Sequence, residues 1–152
     1  MAEDCAPFGT YSFQNVAFSI DGVLVVGFDE GDDCILVERT TELGTPKVGA
    51  DGTSIVSITT DQSATVTIRL LPNSPFNAYL RNRVKRMRSG ALTGLTMAIG
   101  MTDLSSREMG GCTTAILTQE PPDTRGAMVN SLEWKFFCAC WQPGFVEVVT
   151  AS

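Results

Sequence analysis

The sequence contains no histidine. That removes the commonest general base, the Ser-His and Cys-His nucleophile pairs and the commonest metal ligand. A Walker loop, a dinucleotide-binding glycine fingerprint and an HExxH stretch are missing as well. No window approaches about eighteen consecutive apolar residues, and the start, Met1-Ala2-Glu3-Asp4-Cys5-Ala6-Pro7, has neither a basic region nor an apolar run. Neither a membrane span nor a signal peptide is therefore expected. Cysteine is present five times, an odd count that fits no disulfide framework, and free thiols in a reducing cytoplasm are the expectation. Nothing in this inventory points to an enzyme, a cofactor or a metal.

What is present suits one folded domain over residues 1–152. A chain of this length hides roughly two thirds of its unfolded surface, so a sizeable core is available. The hydrophobic fraction of 43% and charged fraction of 18% are ordinary for a globular protein. Net charge is −6, yet five of the eleven basic residues fall between Arg81 and Arg88. The rest of the chain carries six basic against seventeen acidic residues, about −11, a body that repels a phosphate backbone at long range.

The most legible stretch is Ala64–Gly90. In Ala64-Thr65-Val66-Thr67-Ile68-Arg69-Leu70 the even positions are apolar and the odd ones polar, the period of a strand buried on one face. Ser74 then suits a helix N-cap and Pro75 the first helical position. Phe76, Tyr79, Leu80, Val84 and Met87 recur at three and four, forming one apolar stripe, and Gly90 supplies a stop. Arg81, Arg83, Lys85, Arg86 and Arg88 occupy the remaining surface of this helix.

Around it the pattern predicts strands. Residues 1–10 read as an arm. A parity change between Tyr11 and Phe13 and the set Val16, Phe18 and Ile20 predicts a bulge near Asn15. Asp21-Gly22 reads as a hairpin turn into Val23–Val26. A long strand is expected over Cys34–Leu43, a projecting loop over Gly44–Thr53 and a strand over Ser54–Thr60. After the helix, strands are expected over Leu95–Met101, Cys112–Thr118 and Leu132–Cys140, with Thr102–Gly111 and Pro121–Gly126 as connections. Phe145–Val149 reads as a short last strand or part of a C-terminal tail over 141–152. Seven or eight strands and one helix predict a mainly β chain, a β-sandwich or partial barrel with one flanking α-helix.

The remaining chemical signals have plain readings. Asp29-Glu30-Gly31-Asp32-Asp33 lacks the ligand order of a calcium loop and reads as a solvated turn. Cys138 and Cys140 share the parity of Trp134 and Phe136, as core cysteines would. The basic helix fits a solvated face, a docking surface for an acidic partner or, without interleaved aromatics, a weaker nucleic-acid contact. The ten-residue loop at Gly44–Thr53 is longer than a hairpin needs, as a contact loop would be.

Taken in order, Thr10-Tyr11-Ser12-Phe13-Gln14-Asn15-Val16, Ile20-Asp21-Gly22, Val48-Gly49-Ala50-Asp51-Gly52, Ala64–Leu71, Ser74-Pro75-Phe76-Asn77-Ala78-Tyr79-Leu80 and Glu133-Trp134-Lys135-Phe136 resemble the tail tube proteins of contractile-tailed bacteriophages, which are similar to type VI secretion tube proteins. The resemblance implies the tail-tube fold and a structural subunit forming stacked, hexameric rings inside a contractile sheath, a conduit for DNA ejection. It implies as partners other copies of the chain, the sheath protein, and tail initiator, baseplate and terminator proteins. Genomic DNA would pass through the lumen without specific binding, and no membrane is involved. The setting would be the virion tail, assembled in the bacterial host cytoplasm. By the same analogy Val48, Gly49, Ala50, Asp51, Gly52 and Thr53 would reach an adjacent ring, and Glu38, Thr40, Glu42, Ser57 and Thr59 would suit a wetted lumen wall. Arg81, Arg83, Lys85, Arg86 and Arg88 would face the sheath or a neighbouring subunit. Cys112, Cys138, Cys140 and the ending Gly144–Ser152 have no counterpart in that pattern. Two alternatives stand beside it: a small cytoplasmic β-barrel binding module for a ligand or acidic protein, and a hydrolase using Asp29 and Asp33.

Overall fold

Strand Ala64–Leu70 forms as the alternation predicts, and the architecture is laid on it. In a computed structural model describing residues 8–90 and 93–145, Ala64, Val66, Ile68 and Leu70 are all fully buried. The elements in chain order are β1 (Val16–Ile20), β2 (Val23–Leu24), β3 (Ile35–Arg39), β4 (Gly44–Val48), β5 (Ser54–Ile58), β6 (Ala64–Leu70), α1 (Pro75–Arg88), β7 (Met97–Asp103), β8 (Glu108–Gln119), β9 (Leu132–Cys138) and β10 (Gln142–Phe145). A 3₁₀ turn, Phe13–Asn15, precedes β1.

Eight strands make one antiparallel sheet in the order β2-β1-β7-β8-β9-β6-β3, with β10 on β8 beyond the end of β9. The sheet is open. Its two ends are joined by the segment Val25–Asp29, whose backbone bonds reach Phe18 of β1 on one side and Arg69 and Leu71 at the end of β6 on the other. The core fills the concave side with Phe18, Ile20, Met97, Ile99, Leu117, Trp134 and Phe136, each worth about 1.5–3 kcal/mol when fully buried.

Helix α1 covers this core. Ser74 caps it, accepting from the Phe76 N–H (3.4 Å) and donating to the Val26 carbonyl (2.6 Å), while Gly90 ends it at φ +88°. Phe76 and Leu80 are buried and Val84 and Met87 pack against the core, but Tyr79 stands at the margin with its hydroxyl on Asp21 (2.8 Å). Beneath the helix the indole N–H of Trp134 donates to Asn77 Oδ1 (3.1 Å), and Asn77 Nδ2 donates to the Leu71 carbonyl (2.8 Å).

Several expectations are corrected. Residues 44–53 are no loop: β4 and β5 pair as a separate two-stranded ribbon, and only Gly49–Gly52 turn. Pro46 is tolerated because a ribbon edge asks for no second ladder. The strand expected to Leu43 ends at Arg39, whose partner Ala64 is the first residue of β6, so the ladder runs out. The bulge near Asn15 is the 3₁₀ turn, with Phe13 edge-on to Phe28 at 5.6 Å. The connection expected over Thr102–Gly111 shrinks to Leu104–Arg107, because Asp103 and Glu108 already pair. In its place β8 runs for twelve residues and carries neighbours on both sides. β9 stops at Cys138, so Cys138 is buried and Cys140 only half-buried. The last described strand is Gln142–Phe145; Val146–Val149, like residues 1–7 of the expected arm, lie outside the described residues.

The Asp21-Gly22 turn is as expected, with both residues at positive φ (+53° and +80°), the twist a two-residue hairpin requires.

Candidate assembly surfaces

The β4–β5 ribbon is amphipathic. Directly opposed residues of an antiparallel pair share a face. The pairs Pro46↔Val56 and Val48↔Ser54, with Ile58, make one face apolar, and Thr45↔Ser57 makes the other polar except for Ile55. Val48, Val56 and Ile58 are 67%, 53% and 66% exposed, an unusual state for three β-branched aliphatics on one surface. At the tip the Gly49 N–H donates to the Thr53 carbonyl (2.7 Å), and Asp51 Oδ1 accepts from the Thr53 N–H (3.0 Å). That backbone bond is the main cause holding the Asp51 carboxyl below its ordinary pKa. Gly52 takes φ +87° with open space around it.

The base of the ribbon is fastened through Asp61. Its carboxylate accepts from the Thr41 hydroxyl and from the Ser63 N–H (2.9 Å), and its own N–H donates to Thr59 Oγ1 (3.1 Å). These bonds, the Thr41 hydroxyl first, lower its pKa to about 2. Beside it the Thr40 N–H donates to the Ser63 carbonyl (3.2 Å) and the two hydroxyls meet at 2.7 Å.

The five residues assigned to a lumen wall fall on three elements. Glu38 is exposed on β3, an edge strand; Thr40 and Glu42 are exposed on the connection to the ribbon; Ser57 is exposed on β5 and Thr59, half-buried, follows it. Val48–Thr53, the assigned inter-ring segment, is the exposed end of the ribbon.

The basic helix is divided in its roles. Arg83 is tied inward, to Asp21 Oδ2 (3.0 Å) and the Gly94 carbonyl (2.7 Å), and lies 5.5 Å from the Tyr79 ring. Arg88 pairs with Glu120 at 2.6 Å. Arg81 lies 5.7 Å over the Trp134 ring. Lys85 and Arg86 are exposed and make no ion pair among the described residues.

One surface escaped the pattern reading. A groove of about 480 Å³ opens between Tyr11 and Phe13, the loop Asp29–Asp32 before β3, and the paired ends Asp103 and Glu108 of β7 and β8. Its residues are separated by up to about a hundred positions, which no periodicity relates. Asp29 lines it while Asp33 pairs with Arg69 (2.6 Å), so the two carboxylates of the hydrolase alternative have different partners. Cys34, Cys112 and Cys138 are buried and free, and burial pushes the Cys138 thiol up to about 12. Among the described residues no cluster of three or more Cys, Asp or Glu side chains is arranged to hold a metal ion.

The comparisons agree with this architecture. No curated protein matches the chain. Among solved structures, it is similar to a chain of an extracellular contractile injection system, the PVC sheath-tube complex in its extended state (TM-score 0.57, 11% identity, 90% of this chain and 93% of the other). It is also similar to a chain of the anti-feeding prophage cap, the AFP tube terminating cap (TM-score 0.55, 10% identity, 95% of this chain and 97% of the other). At such identities the likeness establishes the fold. The profile of the Bacteriophage PhiTE tail tube protein family matches residues 8–143. Spanning nearly every described element, that match shows that the chain belongs to the Bacteriophage PhiTE tail tube protein family, a structural component of the tail and not an enzyme.

Proposed function

We propose that this tail tube protein is the repeating unit of a tube of stacked hexameric rings inside a contractile sheath, and that the tube's lumen is the conduit for DNA ejection. The observation that carries the reading is the β4–β5 ribbon. Two-stranded ribbons are marginal in water by themselves, and this one offers an apolar face to solvent. A neighbouring subunit that covers Val48, Val56 and Ile58 gains about 1–2 kcal/mol from each, enough to make the contact cooperative over six copies. Val48–Thr53 then reach the adjacent ring. The polar face of the ribbon, with Ser57 and Thr59, suits a wetted lumen wall, to which Glu38, Thr40 and Glu42 add acidic and hydroxyl groups. Such a wall repels phosphates, so DNA slides without adhering. Sheath, initiator or baseplate, and terminator proteins complete the partners, and assembly takes place in the host cytoplasm.

Negative-stain electron microscopy with light scattering over a concentration series tests the reading. The wild-type chain should give hollow rings or tubes. Val56→Ser with Ile58→Ser should raise the concentration for assembly at least tenfold, by the loss of about 2–4 kcal/mol per contact, while the subunit stays folded. Unchanged assembly by this variant would sink the ribbon as the contact.

A further inference from the structure

The groove at Tyr11 and the free cations of α1 lie at opposite ends of the same strands. α1 is fastened near the Ile20 end of β1, the Met97 end of β7 and the Gln119 end of β8, through Arg83 to Asp21 and Gly94 and through Arg88 to Glu120. The groove is lined by Val16, Asp103 and Glu108, the other ends of those three strands. Five carboxylates, Asp29, Glu30, Asp32, Asp103 and Glu108, border it without an ion pair among the described residues, over an aromatic floor in which Tyr11 is 68% exposed. On α1, Arg81 and Lys85 stand at i and i+4, adjacent on one exposed edge, while Arg86 falls on the flank beside Gly94.

We propose that a second copy of this chain seats the Arg81–Lys85 edge of its helix in the acidic groove, a head-to-tail contact between neighbouring subunits. Two complementary patches on opposite ends of one molecule make a heterologous interface, and such interfaces generate rings when the rotation closes. A long side chain such as lysine or arginine also lays its apolar stem on an aromatic floor while its head meets carboxylates. Complementary charges on the two faces are what fixes register between partners. Arg83 and Arg88 take no part, since both are committed within their own subunit. The inference deepens the tube-subunit reading and rests on it for self-association; it assigns the helix edge to a neighbouring copy and not to the sheath.

Paired charge reversals separate these possibilities. Arg81→Glu with Lys85→Glu alters only the helix edge, and Glu30→Lys with Asp32→Lys alters only the groove; all four side chains are exposed, so the fold should be untouched. Each double variant alone should assemble at no less than tenfold the wild-type concentration, and an equimolar mixture of the two should assemble at or near the wild-type concentration, because each supplies the partner that the other needs. Zero-length carbodiimide crosslinking of the wild-type assembly should join Lys85 of one copy to Glu30 or Asp32 of another. Assembly of both variants at the wild-type concentration overturns the proposal, as does a helix variant that forms tubes normally but no longer recruits sheath protein. A wild-type chain that stays monomeric at every concentration sinks the tube-subunit reading and this contact with it.

Discussion

Asn77 is the buried polar hinge between α1 and the sheet, and removing it gives a measurable cost. Its amide oxygen is the acceptor for the indole N–H of Trp134, a side chain with no exposed surface, and its amide nitrogen donates to the Leu71 carbonyl. Asn77→Leu preserves much of the volume but strands both backbone carbonyl and indole. A buried donor left without a partner costs about 1–3 kcal/mol, and the half-buried Leu71 carbonyl falls at the low end of that range, for a total near ~3 kcal/mol. For a chain of this size that lowers Tm by about 6–12 °C and moves the urea midpoint down by about 1–2 M. The assay is unfolding followed by tryptophan fluorescence and circular dichroism at a concentration below assembly, with Asn73→Ala as an exposed control. A double-mutant cycle with Trp134→Phe should return a coupling of about 1 kcal/mol or more. A loss below about 0.5 kcal/mol in Asn77→Leu would refute the assignment of this network as a stabilising tie.

Two further predictions concern the ends of the elements. Gly27 has φ +84° and a Cβ there would stand 2.7 Å from the Ser74 Cβ, so Gly27→Ala meets both backbone strain and a collision with the helix cap. It should lose several kcal/mol in the same assay, far more than Gly52→Ala, which has the strained φ but open space. At the base of the ribbon, the folded pKa of Asp61 is about 2, below its unfolded value, so its bonds stabilise the fold above the ordinary aspartate pKa and are lost as pH falls through about 2. Carboxyl-carbon NMR should find Asp61 titrating with that depressed midpoint and slow exchange of the Ser63 amide persisting to pH 3; Asp61→Asn should abolish the protection, and an ordinary midpoint would refute the bonding scheme.

What the sequence determined by itself is local. The alternation of Ala64–Leu70, the Ser74-Pro75 start and the Gly90 stop act through neighbours within a turn or a pleat, and all three are found where the pattern puts them. Family membership was legible for a related reason, since the order of such local signatures survives where no single motif is diagnostic. The tertiary structure alone decided the rest. Gly44 and Pro46 give the signature of a loop, and they form a strand only because β5 supplies the one ladder that a ribbon needs. Gly110 and Gly111 interrupt any strand pattern in β8, yet the indole of Trp141 fills the space where a Gly110 side chain would be. The five arginines and lysines of α1 are alike in sequence, and only Asp21, Gly94 and Glu120, brought in from elsewhere in the chain, separate the two that hold the subunit together from Arg81, Lys85 and Arg86, which are exposed and form no ion pair among the described residues. The acidic groove likewise gathers residues from Tyr11 to Glu108, because opposite ends of a curved sheet meet there, and a distance closed by curvature leaves no period along the chain to read.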